Sequence, residues 1–60
     1  MYMVITEIVN PDKTSRWYYG QYKDSNKANE VAISLGNEYP VFHSVIPSEQ
    51  AAEFGVLNLP

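Results

Sequence analysis

The pattern of apolar residues over the first nine positions predicts a β-strand. Met1–Val9 is rich in β-branched residues, and its length suits a strand better than a helix. The two faces of such a strand are Tyr2, Val4, Thr6 and Ile8, and Met3, Ile5, Glu7 and Val9. Since both faces are mainly apolar, the pattern favours a strand at the centre of a sheet, with other elements packed on each side.

A second strand is predicted after a cluster of turn-forming residues. The segment Asn10–Ser15 contains proline, asparagine, aspartate and serine, which favour turns. The aromatic segment Arg16–Tyr22 follows and would pair antiparallel with the first strand across this loop. Gly20 within it indicates a β-bulge or a close approach of another group to the backbone.

One amphipathic helix is predicted in the middle of the chain. Asp24 or Ser25 can cap its start, and Gly36 occupies the position where a left-handed residue would end it. The apolar stripe at helical spacing consists of Ala28, Val31, Ala32 and Leu35. Ile33 lies off this stripe.

The remaining residues predict a third strand and a short helical turn. The strand would cover Tyr39–Ile46 and stop at Pro47. A last helical turn would cover Glu49–Phe54 and end at Gly55, followed by the apolar tail Val56–Pro60.

Together these elements predict one small domain, residues 1–60, of the α+β class. A right-handed crossover from the second strand through the helix leaves the third strand parallel to the second. If the third strand docks beside the first, the result is a three-stranded antiparallel sheet (β-β-α-β, order 2-1-3). One amphipathic helix covers one face of it, and a short helical turn follows at the C-terminus.

The face opposite the helix is the unusual surface of this predicted fold. Glu7 favours placing Met3, Ile5 and Val9 there and Val4 and Ile8 on the helix side. Two alternatives have equal weight: a sheet-to-sheet homodimer through this open face, or closure of the face by the chain itself. The residues that could fold back to close it are Phe54, Val56, Leu57 and Leu59.

Composition argues against an enzyme. A chain of 60 residues that is 45% hydrophobic can form one small core, but hardly a substrate pocket of about 300 Å³ as well. Cysteine is absent, and His43, the single histidine, lies in a predicted strand with no nucleophile placed beside it. We therefore expect no catalytic residue, metal, cofactor or small-molecule substrate. The first apolar segment is interrupted by Glu7 and is neither a signal peptide nor a membrane span, so a cytoplasmic location is expected.

The segment Arg16–Lys23 is the most distinctive stretch for binding. It combines aromatic residues with flanking cations, and all four basic residues lie between positions 13 and 27. Aromatic residues on a sheet can stack bases, so a weak single-stranded nucleic-acid binder is the alternative hypothesis. Four cations and a net charge of −3 disfavour it. Aromatic residues and arginine are also the residues that dominate protein–protein contacts.

The sequence therefore predicts a non-enzymatic protein-interaction module that forms a homodimer through the open sheet face or binds another protein. The expected contact residues are Arg16, Trp17, Tyr19 and Tyr22. If the second strand lies at a sheet edge, it could also accept an added strand from a partner. Chains of this length without a motif are often accessory proteins of bacteria or phages, so an origin of that kind is expected.

Overall fold

A computed structural model describes residues 1–39 and 41–60 and shows a small α+β fold. Its elements are β1 (Tyr2–Val9), β2 (Thr14–Tyr22), α1 (Ser25–Glu38), β3 (Phe42–Pro47), a 3-10 turn (Ser48–Gln50) and β4 (Val56–Leu57). The sheet order is β3-β1-β2-β4, with β1 antiparallel to both β2 and β3. The predicted central position of the first strand is confirmed. The prediction of three antiparallel strands is wrong, because the sheet has four strands and β4 is parallel to β2.

The fourth strand comes from the apolar tail. Gly55 adopts a left-handed conformation, with φ of +66°, in the turn that precedes β4. Val56 then pairs with Arg16, and Leu57 pairs with Trp17 on β2. A strand of two residues is too short to leave a periodic pattern in the sequence. Its position is decided by the unpaired outer edge of β2, which supplies the backbone partners.

The helix begins where the sequence predicted and ends later. The carboxylate of Asp24 accepts a hydrogen bond from the Asn26 N–H at 3.0 Å, which caps the first turn. The helix continues through Gly36 to Glu38, so the predicted end is wrong. Tyr39 is extended, with φ −125° and ψ 129°, as expected for a residue that precedes proline in the sequence.

The third strand therefore starts at Phe42 rather than Tyr39 and includes Pro47. Tyr39 instead forms the C-terminal cap of α1, where its N–H donates to the Leu35 carbonyl at 2.9 Å. Pro40, which the predicted strand included, lies outside the described residues.

The sheet carries a buried cluster on each side. On the side covered by α1, here called the helix side, Val4, Ala28 and Leu35 are buried. On the opposite, or far, side the buried residues are Met3, Ile5, Ile46, Ala51 and Val56. This agrees with the predicted facing of β1. It also shows that Ala51 and Val56, from the chain's own C-terminal segment, cover the centre of the far side.

A β-bulge in β2 controls which side chains face the helix. Val4 pairs with Gly20 and Ile5 pairs with Tyr18, so Tyr19 is an extra residue without a partner on β1. The predicted irregularity at Gly20 is confirmed. Because one extra residue reverses the alternation, the bulge places Tyr22 on the helix side, opposite Tyr2.

The helix covers only part of its side of the sheet. It packs mainly on β3 and β1 and has few contacts with β2. The part of the helix side formed by β2 and β4 therefore remains accessible, and this part carries the candidate site.

Candidate interaction surfaces

The structure separates the four predicted contact residues. Arg16 lies on the far side, opposite Glu7 on β1, with 3.5 Å between Arg16 Nε and Glu7 Oε2. Its Nη1 donates to the Phe54 carbonyl at 3.2 Å, and its guanidinium lies 5.7 Å from the centre of the Phe54 ring. The hydroxyl of Ser44 donates to the other oxygen of Glu7. Arg16 therefore holds the C-terminal segment against the sheet.

Tyr22 also has a structural position. It packs against the helix-side cluster of Val4, Ala28 and Leu35. Trp17 and Tyr19 are different, since they lie on the helix side beyond the cover of α1, with 37% and 51% of their surface exposed. These two are the predicted contact residues that the structure brings together on an accessible surface.

Other apolar side chains extend this region. Ile8 lies on the same side of β1 as Thr6, and Leu57 of β4 lies beside Trp17. We call the whole region the aromatic surface, which consists of Ile8, Trp17, Tyr19, Tyr39 and Leu57, all exposed. A groove of about 440 Å³ enters it beside the end of α1, lined by Thr6, Tyr19, Leu35, Tyr39, Val41 and His43. None of the residues in the surface or the groove is an acid, a lysine or an arginine.

His43 lies on β3, an edge strand of the sheet. Its Nδ1 is 3.1 Å from the hydroxyl oxygen of Thr6, its neighbour on β1. Its Nε2 is buried and has no hydrogen-bond partner among the described residues. Thr6 orients the ring, but a hydroxyl and a single imidazole do not form a nucleophile–base–carboxylate arrangement.

A second concave surface lies between α1 and β3, and the sequence analysis did not find it. We call it the α1–β3 groove; it measures about 560 Å³ and is lined by Asn29, Ala32, Ile33, Gly36, Val41, Phe42, His43 and Val45. Ile33 and Phe42 are 67% and 70% exposed, which makes them the most exposed large apolar residues described. The position of Ile33 off the helical stripe was the one sequence signal for this surface.

The described residues, 1–39 and 41–60, include one α-helix and one 3-10 turn. None of their helices is long and apolar enough to cross a membrane. The same residues contain no group of three or more histidine, aspartate or glutamate side chains that could hold a metal ion. Comparison with protein-family models, with curated proteins and with solved structures finds no match to this chain. Its function is therefore inferred from the surfaces alone.

Proposed function

We propose that the protein is a non-enzymatic protein-interaction module that self-associates through the aromatic surface. The observation that carries the proposal is the exposure of Trp17 and Tyr19 on the part of the sheet that α1 leaves uncovered. Tryptophan and tyrosine are the residues that most often dominate binding energy at protein contacts. Leu57 and Ile8 extend the same surface with further apolar area.

The proposal moves the self-interface from the far side of the sheet to the helix side. Met3 and Ile5, which the sequence placed on an open face, are 3% and 1% exposed beneath Ala51 and Val56. That part of the far side has no apolar area left to offer a partner. The aromatic surface still has exposed apolar area that a partner can cover.

The absence of charge on the aromatic surface favours a second copy as the partner. A two-fold interface places each patch against its own copy, so any charge near the axis faces a like charge. A standard interface takes about 800 Å² from each partner, which is about one fifth of the 4185 Å² accessible surface. The whole aromatic surface and its rim are therefore needed, rather than Trp17 alone.

The alternative, a single-stranded nucleic-acid binder, receives less support. Base stacking combines with phosphate contacts only where aromatic residues and cations share a surface. Arg16 lies on the far side and pairs with Glu7, whereas Trp17 and Tyr19 lie on the helix side. We expect no salt-dependent binding of an oligonucleotide.

Sedimentation and fluorescence together test the proposal. The molar mass is measured over a concentration series, and the quenching of Trp17 by acrylamide is measured on the same samples. Trp17 is the single tryptophan, so its quenching reports directly on the aromatic surface. We expect the mass to rise from 6.8 kDa to twice that value and the quenching to fall in parallel.

Two matched variants separate the interface from the fold. Tyr19→Ser removes an exposed aromatic residue from the aromatic surface, and Val9→Ser changes an exposed apolar residue outside it. The first variant should raise the dimer dissociation constant at least tenfold, and the second should leave it unchanged. A mass of 6.8 kDa at all concentrations would refute self-association. A doubled mass with unchanged quenching would refute the aromatic surface as the interface.

A further inference from the structure

The outer edge of β3 presents free backbone groups. The N–H of Ser48 donates to the Met1 carbonyl, which continues the ladder between β3 and β1. Since amides alternate in direction along a strand, the N–H groups of His43 and Val45 point away from β1. Pro47 occupies the next outward position, where its missing N–H costs no ladder bond.

This edge lacks most of the features that usually prevent strand addition. Natural edge strands are protected by short length, charged side chains, proline, bulges or covering segments, and of these β3 has only Pro47, at its C-terminal end. β3 has six residues, from Phe42 to Pro47, and carries no acid, lysine or arginine. Within the described residues its outer edge pairs with no other strand. The opposite edge is different, because β4 has only two residues.

The α1–β3 groove runs beside this edge. A strand edge next to a helix can bind an extended peptide, because the strand pairs with the peptide backbone and the groove takes alternate side chains. Gly36 leaves room in the groove, since a Cβ placed on it would meet nothing within 4 Å. Ile33 is exposed at its rim and can contact apolar side chains of the peptide.

Charge defines the kind of peptide that fits. The chain has seven acidic and four basic residues, yet no residue that lines the groove is an acid, a lysine or an arginine. A charged side chain bound there would lose water without gaining an opposite charge. An apolar side chain would instead gain burial against Ala32, Ile33 and Val45.

We propose that the α1–β3 groove binds an extended, uncharged segment of another protein, which adds to the sheet beside β3. Its side chains at alternate positions enter the groove. The choice of another protein over a second copy rests on the proposed self-association at the aromatic surface. The aromatic surface already gives each copy a partner in a closed two-fold dimer, the commonest assembly, so a second interface between copies at β3 would require a larger assembly.

Hydrogen exchange with a defined peptide tests this proposal. The probe is acetyl-Ser-Val-Thr-Ile-Ser-Val-Thr-amide. Two control peptides of the same sequence carry N-methyl groups on alternate backbone amides, so that one control is blocked along one edge of the strand and the other control along the opposite edge. The saturating probe should slow exchange of the His43 and Val45 amides at least tenfold and leave the inward-facing Ile46 amide unchanged. One of the two methylated peptides should not bind, because its pairing edge is blocked.

Two charge variants locate the binding site. Ile33→Glu places a charge on the rim of the groove, and Ser34→Glu places the same charge at the next helix position, which is also exposed. The first should weaken peptide binding at least tenfold, and the second should change it less than twofold. Equal effects of the two variants would overturn the proposal, as would equal binding of both methylated peptides.

The same experiment on the Tyr19→Ser variant separates the two proposals. If self-association fails but the peptide still protects His43 and Val45, strand addition is supported independently of self-association. Only the argument against a second copy as the partner is then lost. If these amides become protected with rising protein concentration and no peptide, the edge binds a second copy. That outcome would overturn the assignment to another protein.

Discussion

The ring of Tyr22 lies across Gly20, so a Cβ on residue 20 would stand 3.2 Å from the Tyr22 hydroxyl oxygen and 3.4 Å from Cε2. This contact links the bulge to the core. The bulge turns Tyr22 to the helix side, and the bare backbone of Gly20 leaves space for its ring. A Cβ at position 20 would therefore require the Tyr22 ring to shift, although the backbone of Gly20 is not left-handed.

Gly20→Val should destabilise the fold by about 1–3 kcal/mol, because a branched side chain forces the Tyr22 ring out of its packed position. The free energy of unfolding in urea measures the effect. A second variant, Gly20→Val with Tyr22→Leu, should recover part of the loss, because leucine lacks the ring and hydroxyl atoms that a side chain at position 20 would meet. No recovery would place the strain in the backbone rather than in the contact with Tyr22.

Gly36→Ala should stabilise the protein, in contrast to Gly20→Val. Gly36 lies in the last turn of α1, and a Cβ there would meet nothing within 4 Å. Alanine is favoured over glycine in a helix by about 0.5–1 kcal/mol, so thermal unfolding should shift upward by several degrees. A lowered midpoint would show that the last turn of α1 needs glycine. That result would agree with the sequence-based prediction that a left-handed Gly36 ends the helix.

Val56→Ala should destabilise the protein by about 1–3 kcal/mol, since it removes two buried methyl groups from the far-side cluster. Leu59→Ala is the matched control in the same tail, because Leu59 is exposed and should change stability by less than about 0.5 kcal/mol. A single core of this size seldom provides more than about 3–5 kcal/mol, so the first change is large. Similar losses from both variants would mean that the tail does not close the far side through Val56.

Asp24→Ala should cost about 1 kcal/mol, because the cap of the Asn26 N–H is lost. Asp12→Ala removes the same charge from an exposed loop residue and serves as the control for net charge. Chemical denaturation followed by circular dichroism compares the two. If Asp12→Ala is equally destabilising, overall charge rather than capping explains the effect.

Local patterns in the sequence determined the main elements. The doubly apolar Met1–Val9 segment predicted a central strand, and the bonds on both sides of β1 confirm it. Asp24 or Ser25 was predicted to cap the helix, and Gly20 to mark a bulge or a close approach, because both signals act within a few residues of backbone. The helix end at Gly36 was wrong, since proline after Tyr39 limits the helix more strongly than a glycine that is free to stay helical.

The tertiary structure alone decided which surfaces remain accessible. β4 has two residues and forms only because the outer edge of β2 is free, so no local pattern could predict it. Arg16 and Trp17 are neighbours in the sequence, yet one holds Phe54 on the far side and the other lies exposed on the helix side. Alternation separates adjacent side chains, and the packing of α1 on β3 and β1 determines which of them stay uncovered. The alternation of side chains follows from the two-residue period of a strand and can be predicted from the sequence. The uncovered area depends on how whole elements pack, which only the tertiary structure shows.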